Sequence, residues 1–276
     1  MTSRDGGNAD DCREQSRQNR PSNLKTVNFI TLCILSVFYF LNYTVAVFIS
    51  TQPHHPRPCQ MKEQEGVIKY QLNHTQQSIN HLLSLTEINA WRTIAVRLDL
   101  IGQNPERYDN IGFGNISQRI DRHSAQFIIS GTQTGHIEQL SPEHYCLIVK
   151  AEPHQNRLQS CGLCKPSSES LTHASIYTED TAIQAVIHAH SPEIWKHTVA
   201  LGLPHTSADV PYGTVDMATA VEQLFQSGNL SQNSLFTMLG HEDGVVAFGS
   251  NMQEAAWELI KYLSLAIGIE QQRINR

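Results

Sequence analysis

Ala185-Val186-Ile187-His188-Ala189-His190-Ser191-Pro192 is the stretch from which the rest of the chain can be read. Small and β-branched apolar residues lead into two histidines one residue apart, and Pro192 then ends the run. That pattern predicts a buried strand. Alternate side chains leave the same face of a strand, so His188 and His190 point the same way. Two neutral imidazoles on one face can share a divalent metal. Taken alone, a His-x-His run fits two polar residues at a strand end equally well, so the surrounding sequence has to decide.

Downstream, Leu235–Leu239 and Val245–Phe248 read as strands around Gly240-His241-Glu242-Asp243-Gly244. This turn offers His241 as a third ligand. Three protein ligands with one open position make a catalytic metal site, whereas a fourth would close it. Upstream, Lys165-Pro166-Ser167-Ser168-Glu169 opens a helix expected to run through about Thr178 and to lead into the His-x-His strand. Glu169, in its first turn, can ligate a metal, take a proton from a bound substrate, or satisfy the helix dipole. Ser167, Ser168 and the open N–H groups of the helix start suit a phosphate. His173 stands one turn after Glu169, and the other histidines read as surface or packing residues. Cys161-Gly162-Leu163-Cys164 has redox-like spacing but lacks a thioredoxin-type strand and helix around it, so the two cysteines read as structural.

Further out, residues 75–101 carry apolar side chains at three- and four-residue spacings and predict a helix. Gly112–Ser117 predicts a glycine-flanked short strand and turn, Gln126–Ile129 and Tyr145–Val149 strands, and Ser130–Gly135 a polar loop. A helix is expected after Pro192, a capped one over Thr214–Phe225, and a long closing one over Met252–Ile269. Short strands interleaved with helices give an α/β body in one domain, and no internal repeat is visible.

The N-terminal part is different. Residues 1–25 are polar and predict a disordered tail. Residues 26–49 contain no charge and would span ~36 Å as a helix, enough for a bilayer core of about 30 Å. A proline-bearing linker occupies residues 50–66, and the α/β domain is expected over 67–273. Basic residues before the span predict a single-pass membrane protein with a cytoplasmic N-terminus. The domain would then lie on the far side, where Asn73 and Asn229 are glycosylation acceptors. Translation from Met61 would instead give a soluble cytoplasmic protein. Residues 1–60 carry six Lys/Arg against four Asp/Glu, and 61–276 fourteen against twenty-two. An acidic body without a basic stripe argues against nucleic acid as a partner. Six scattered cysteines do not make a disulfide scaffold.

Six stretches occur in the order seen in the class II aldolase/adducin family, which the chain resembles over about residues 70–270. They are Gly114-Asn115-Ile116-Ser117, Thr134-Gly135, Pro166-Ser167-Ser168-Glu169, His188-Ala189-His190-Ser191-Pro192, Pro211-Tyr212-Gly213-Thr214 and His241. The resemblance implies a three-layer α/β/α domain. It implies zinc, or another divalent metal, on His188, His190 and His241. It implies a phosphate cradle at Asn115, Thr134, Gly135, Ser167 and Ser168, with Glu169 as acid/base residue and Tyr212 as proton donor. Family members are usually homotetramers. The implied activity is that of a lyase cleaving or forming a C–C bond in a phosphorylated sugar, a ketose phosphate, through a metal-stabilised enediolate. Dehydration of the methylthioribulose-phosphate type, and a non-catalytic adducin-like interaction domain, are the alternatives. Two places depart from the aldolase pattern: Glu242-Asp243 intervenes between His241 and Gly244, and the Ser130–Gly135 loop is longer.

Overall fold

The run Ala185–His190 is a strand, and every residue of it is buried. The computed structural model describes residues 66–80, 84–230 and 233–275, all within the unit Cys59–Arg276. The expected tail, apolar span and linker up to residue 65 lie outside the described residues. Among those described, no helix is long and apolar enough to cross a membrane.

In chain order the described residues form β1 (Gln71–Gln76), α1 (Thr86–Arg97), β2 (Gly102–Gln103), β3 (Gly112–Phe113), β4 (Asn115–Arg119), β5 (Phe127–Ser130), β6 (Tyr145–Glu152), β7 (Arg157–Gly162), α2 (Ser170–Glu179), β8 (Ala185–His190), α3 (Pro192–Lys196), β9 (His205–Thr206), α4 (Val215–Gln226), β10 (Leu235–Met238), β11 (Gly244–Gly249) and α5 (Met252–Ile274). Nine strands make one sheet in the order β1-β7-β6-β5-β4-β8-β11-β10-β9, and β2 pairs with β3 in a small second one. Neighbours in the large sheet are antiparallel, except for β1 with β7 and β10 with β9.

The period-2 alternation of the strands divides the core in two. Ile187 and Ala189 of β8, Val245 and Ala247 of β11, and Tyr145 and Leu147 of β6 join Ile88 of α1, Ile194 of α3 and Leu259 of α5 on one face. Val186, Val246, Phe248, Cys146 and Ile148 join Leu171 and Tyr177 of α2 and Met217 and Val221 of α4 on the other. The result is a mixed α/β fold with helices on both faces of the sheet. Three helix starts are capped as their sequences suggest: Ser191 accepts from Ile194 N–H, Thr214 from Met217 N–H, and Asn251 from Glu254 N–H.

Two local expectations are corrected. The helix expected from residue 75 begins only at Thr86, because Gln71–Gln76 is a strand paired in parallel with β7. Strand β7 was itself absent from the sequence reading. Strand β1 is a polar edge strand, and β7 alternates in burial but has Leu158, Ser160 and Gly162 on its buried face, so residue types alone show no apolar alternation in either.

Gly114 separates β3 from β4 and has φ +71°. A Cβ there would lie 2.9–3.1 Å from Ile101 Cγ1, Leu100 O and His188 O. Gly114→Ala is therefore expected to destabilise the protein by about 1–3 kcal/mol, measured by urea denaturation. An unchanged midpoint would contradict this tight approach to β8.

Candidate metal centre and adjoining cleft

Residues 186, 188 and 190 share one face of β8, and Val246, paired with His188, carries the same core on to β11. His188 and His190 therefore stand on the face covered by α2 and α4, at the C-terminal end of the strand. The turn between β10 and β11 returns His241 to them, closed by Gly244 N–H donating to the His241 carbonyl. One nitrogen from each of the three rings lies within 4.8 Å of the others, and all three residues are buried. Ring centroids are 5.0 Å apart for His188–His190, 5.3 Å for His188–His241 and 4.8 Å for His190–His241.

Burial pushes the His188 imidazole down to about 4, opposed by the Val245 backbone. His190 and His241 are pushed well below the ordinary 6.5 by burial first, then by the neighbouring histidines of the cluster, and last by Arg107 and Lys69 respectively. Three neutral imidazoles with converging nitrogens are a donor set suited to a divalent metal. Neither ring nitrogen of His188 has a geometrically sound hydrogen bond among the described residues. A buried polar group left this way is costly unless something else takes the lone pair.

Glu169 is the residue immediately before α2 and is 1% exposed. Its Oε2 accepts from the Thr172 hydroxyl at 2.7 Å, and its Oε1 lies 4.0 Å from His241 Nε2. The turn before the helix is pinned from outside: the Tyr70 hydroxyl donates to the Ser167 carbonyl at 2.7 Å, and Ser167 Oγ accepts from Glu169 N–H. Asn115 stands opposite His188 in the β4–β8 register, and its Oδ1 has no hydrogen-bond partner among the described residues.

A polar cleft beside the histidines is lined by Asn115, Thr134, Gly135, Ser167 and Ser168, together with glycines 66, 112, 114 and 131 and with Thr132 and Gln133. All five residues that the resemblance assigns to a phosphate thus meet in one place. A Cβ on Gly135 would run into the carbonyl of Gly102, so the chain passes there as bare backbone. The Thr134 hydroxyl donates to the Gly131 carbonyl at 2.9 Å, which folds the loop on itself. Arg92 of α1, 2% exposed, donates to the carbonyls of Thr134 (2.9 Å) and Glu138 (3.1 Å) and fastens the loop from behind.

Tyr212 is fully buried and its ring packs 4.6 Å from that of His241. Its hydroxyl accepts from Val67 N–H and donates to the Val67 carbonyl, so the backbone of residue 67 engages its polar end. His173 lies outside the cleft, fully buried against the sheet, with Nδ1 2.7 Å from Ser117 Oγ. Cys164 faces Cys146, with sulfurs 3.5 Å apart, instead of Cys161, and packs beneath Gly131. The sequence reading missed Tyr70, Arg92 and the segment 66–70, which contributes Gly66 to the cleft and lays the Lys69 ammonium 3.6 Å over the Tyr212 ring. A lone Arg among the apolar positions of α1 was the one available signal.

Because burial lowers the imidazoles in the folded state, the unfolded chain binds more protons below its ordinary 6.5. Metal-free protein should lose stability as the pH falls from about 6.5 towards 4, where folded His188 itself takes up a proton. Urea denaturation across that window should give a shallower pH slope for His188→Gln. Equal slopes would contradict a neutral, buried His188.

Residues 105–266, more than half of the chain, match the family model described as the class II aldolase and adducin N-terminal domain. No curated protein matches the sequence. An L-fuculose 1-phosphate aldolase superposes with a TM-score of 0.50 at 19% identity, covering 68% of this chain and 85% of that one. A sugar-phosphate aldolase from Thermotoga maritima superposes with a TM-score of 0.50 at 18% identity, covering 69% and 95%. At these identities the likeness is one of fold. The extent of the family match shows that the chain belongs to the class II aldolase and adducin N-terminal domain family.

Proposed function

We propose that the chain is a divalent-metal-dependent lyase acting on a ketose phosphate, with zinc as the expected metal and C–C bond cleavage or formation as the reaction. One observation carries this reading: three buried imidazoles converge beside a buried carboxylate and a separate polar cleft. Bound by His188, His190 and His241, the metal would polarise the substrate carbonyl and offset the negative charge that develops as the bond breaks. Three neutral donors leave coordination room for substrate oxygens.

The other roles fall to the chain's own groups. Asn115, Ser167, Ser168 and the backbone at Thr134–Gly135 anchor the phosphate, which fixes the distance from that end of the sugar to the histidines. Thr172 holds Oε2 of Glu169 in place, and Oε1, on the His241 side, carries a proton to and from the reacting carbon. Removing the anchored carboxylate's charge while keeping its shape therefore removes the proton carrier and leaves the ligands intact. Self-association as a homotetramer belongs to the same reading.

Dehydration of a ketose phosphate is a second reading, favoured by Tyr212. C–C cleavage turns a hydroxyl into the departing carbonyl, so a group must take that hydroxyl's proton and return it in the bond-forming direction, whereas the Tyr212 hydroxyl is engaged by Val67. Loss of water needs only the metal and the Glu169 carboxylate.

Purified protein should hold about one divalent metal per chain, and His188→Ala should lose it. Glu169→Gln should keep the metal and turn over ketose phosphates about 10²–10⁴-fold more slowly, with product analysis separating cleavage from water loss. Metal-free wild type, or full turnover by Glu169→Gln, overturns the proposal. A metal-loaded chain that turns over no ketose phosphate supports the binding-module alternative instead.

A further inference from the structure

Glu242-Asp243, the pair of residues between His241 and Gly244, is a departure from the aldolase pattern that the proposed reaction does not use. The structure gives Asp243 a definite partner. The Tyr108 hydroxyl donates to Asp243 Oδ2 at 2.6 Å, and Asp243 is 9% exposed. Tyr108 in turn lies on His190: the two rings meet edge to face at 4.7 Å and 71°. Phe113 packs against the same tyrosine at 5.2 Å and against His190 at 5.6 Å, so the three rings form one mutual cluster.

Both ends of the Tyr108–Asp243 bond are tied to the strand that carries His190. The Arg107 guanidinium donates to the Tyr108 hydroxyl at 2.8 Å and to the His190 carbonyl at 3.4 Å, while its other nitrogen bonds Asp99 at 2.8 Å. The Asp243 carbonyl accepts from Ser191 N–H at 2.8 Å. Tyr108, Asp109 and Asn110 have φ of 50°, 55° and 60°, and Asp243 has φ 61°. Four non-glycine residues in the left-handed region, three of them consecutive, flank this single side-chain contact. Such conformations persist where surrounding interactions over-determine them.

We propose that the Tyr108–Asp243 hydrogen bond is a positioning device for His190, setting the plane of that ring and so the direction of its metal-binding lone pair. Tyr108 and Asp243 touch neither metal nor substrate; they act through the ligand, as outer partners of metal-binding imidazoles do. This explains the two residues after His241: the longer turn brings a carboxylate across to the loop 104–111. The inference rests on the reading of His188, His190 and His241 as metal ligands.

The test is zinc affinity, measured by competition with a chelating dye, on full-length wild type, Tyr108→Phe, Asp243→Gly and the double variant. The melting temperature of each metal-free protein is measured alongside. Tyr108→Phe keeps the ring against His190, and Asp243→Gly removes the acceptor at a position whose φ of 61° glycine adopts freely, so each should weaken zinc about tenfold while the metal-free melting temperature stays near that of wild type. The double variant should be no weaker than either single one, because all three lack the same bond. Wild-type zinc affinity in both single variants overturns the proposal. So does a double variant whose loss is the sum of the two, or a loss in each that follows a lowered metal-free melting temperature. Wild type that binds no zinc removes the metal reading together with this one, whereas zinc-binding wild type with unaffected variants removes this one alone.

Discussion

The arrangement depends on burying three imidazoles together in their neutral form. A histidine on a fully buried central strand cannot keep a charge there, since nothing comparable to water solvates it. His188 and His190 accept this because β8 sits between β4 and β11, in the middle of the sheet and under α2. The alternation that sends Ile187 and Ala189 into one core sends the two rings to the opposite face. What would be a destabilising cluster in a purely structural core becomes a set of lone pairs facing a common point. The fold and the candidate chemistry therefore share one cause, the pleat of β8.

Around that point the polar groups are organised in layers of backbone contact. Tyr70, Arg92 and Arg107 each spend donors on main-chain carbonyls next to the site: Ser167, then Thr134 and Glu138, then His190. None of these three needs to meet a substrate to matter. They hold the Ser167–Glu169 turn, the 131–138 loop and the end of β8 in register with one another. Glycine completes the arrangement where side chains would not fit, at Gly114 and Gly135 above all.

Much of this was legible in residue order. The strand around Ala185–His190, the turn at His241, the helix start at Glu169 and the three capped helices follow from local patterns with local causes: alternation, β-branching, proline and side-chain caps. The cleft residues were legible through resemblance, and the structure brings all five together. The polar strands β1, at the sheet edge, and β7, next to it, were not legible, because each is defined by the neighbours it bonds to and not by its own side chains. Nor was the direction of the Tyr212 hydroxyl, which Val67 determines from 145 positions away in the chain.

Residue order is thus enough for which groups are present and which face of their own element they occupy, because pleat and helical pitch are properties of a short stretch of backbone. Which groups meet is a matter of tertiary packing. The approach of His241 to β8, the pinning of the Ser167 turn by Tyr70 and the reach of Asp243 to Tyr108 join residues between about fifty and nearly one hundred and forty positions apart. Contacts of that span arise only when the whole sheet closes its two cores, so a linear reading can name their members without pairing them.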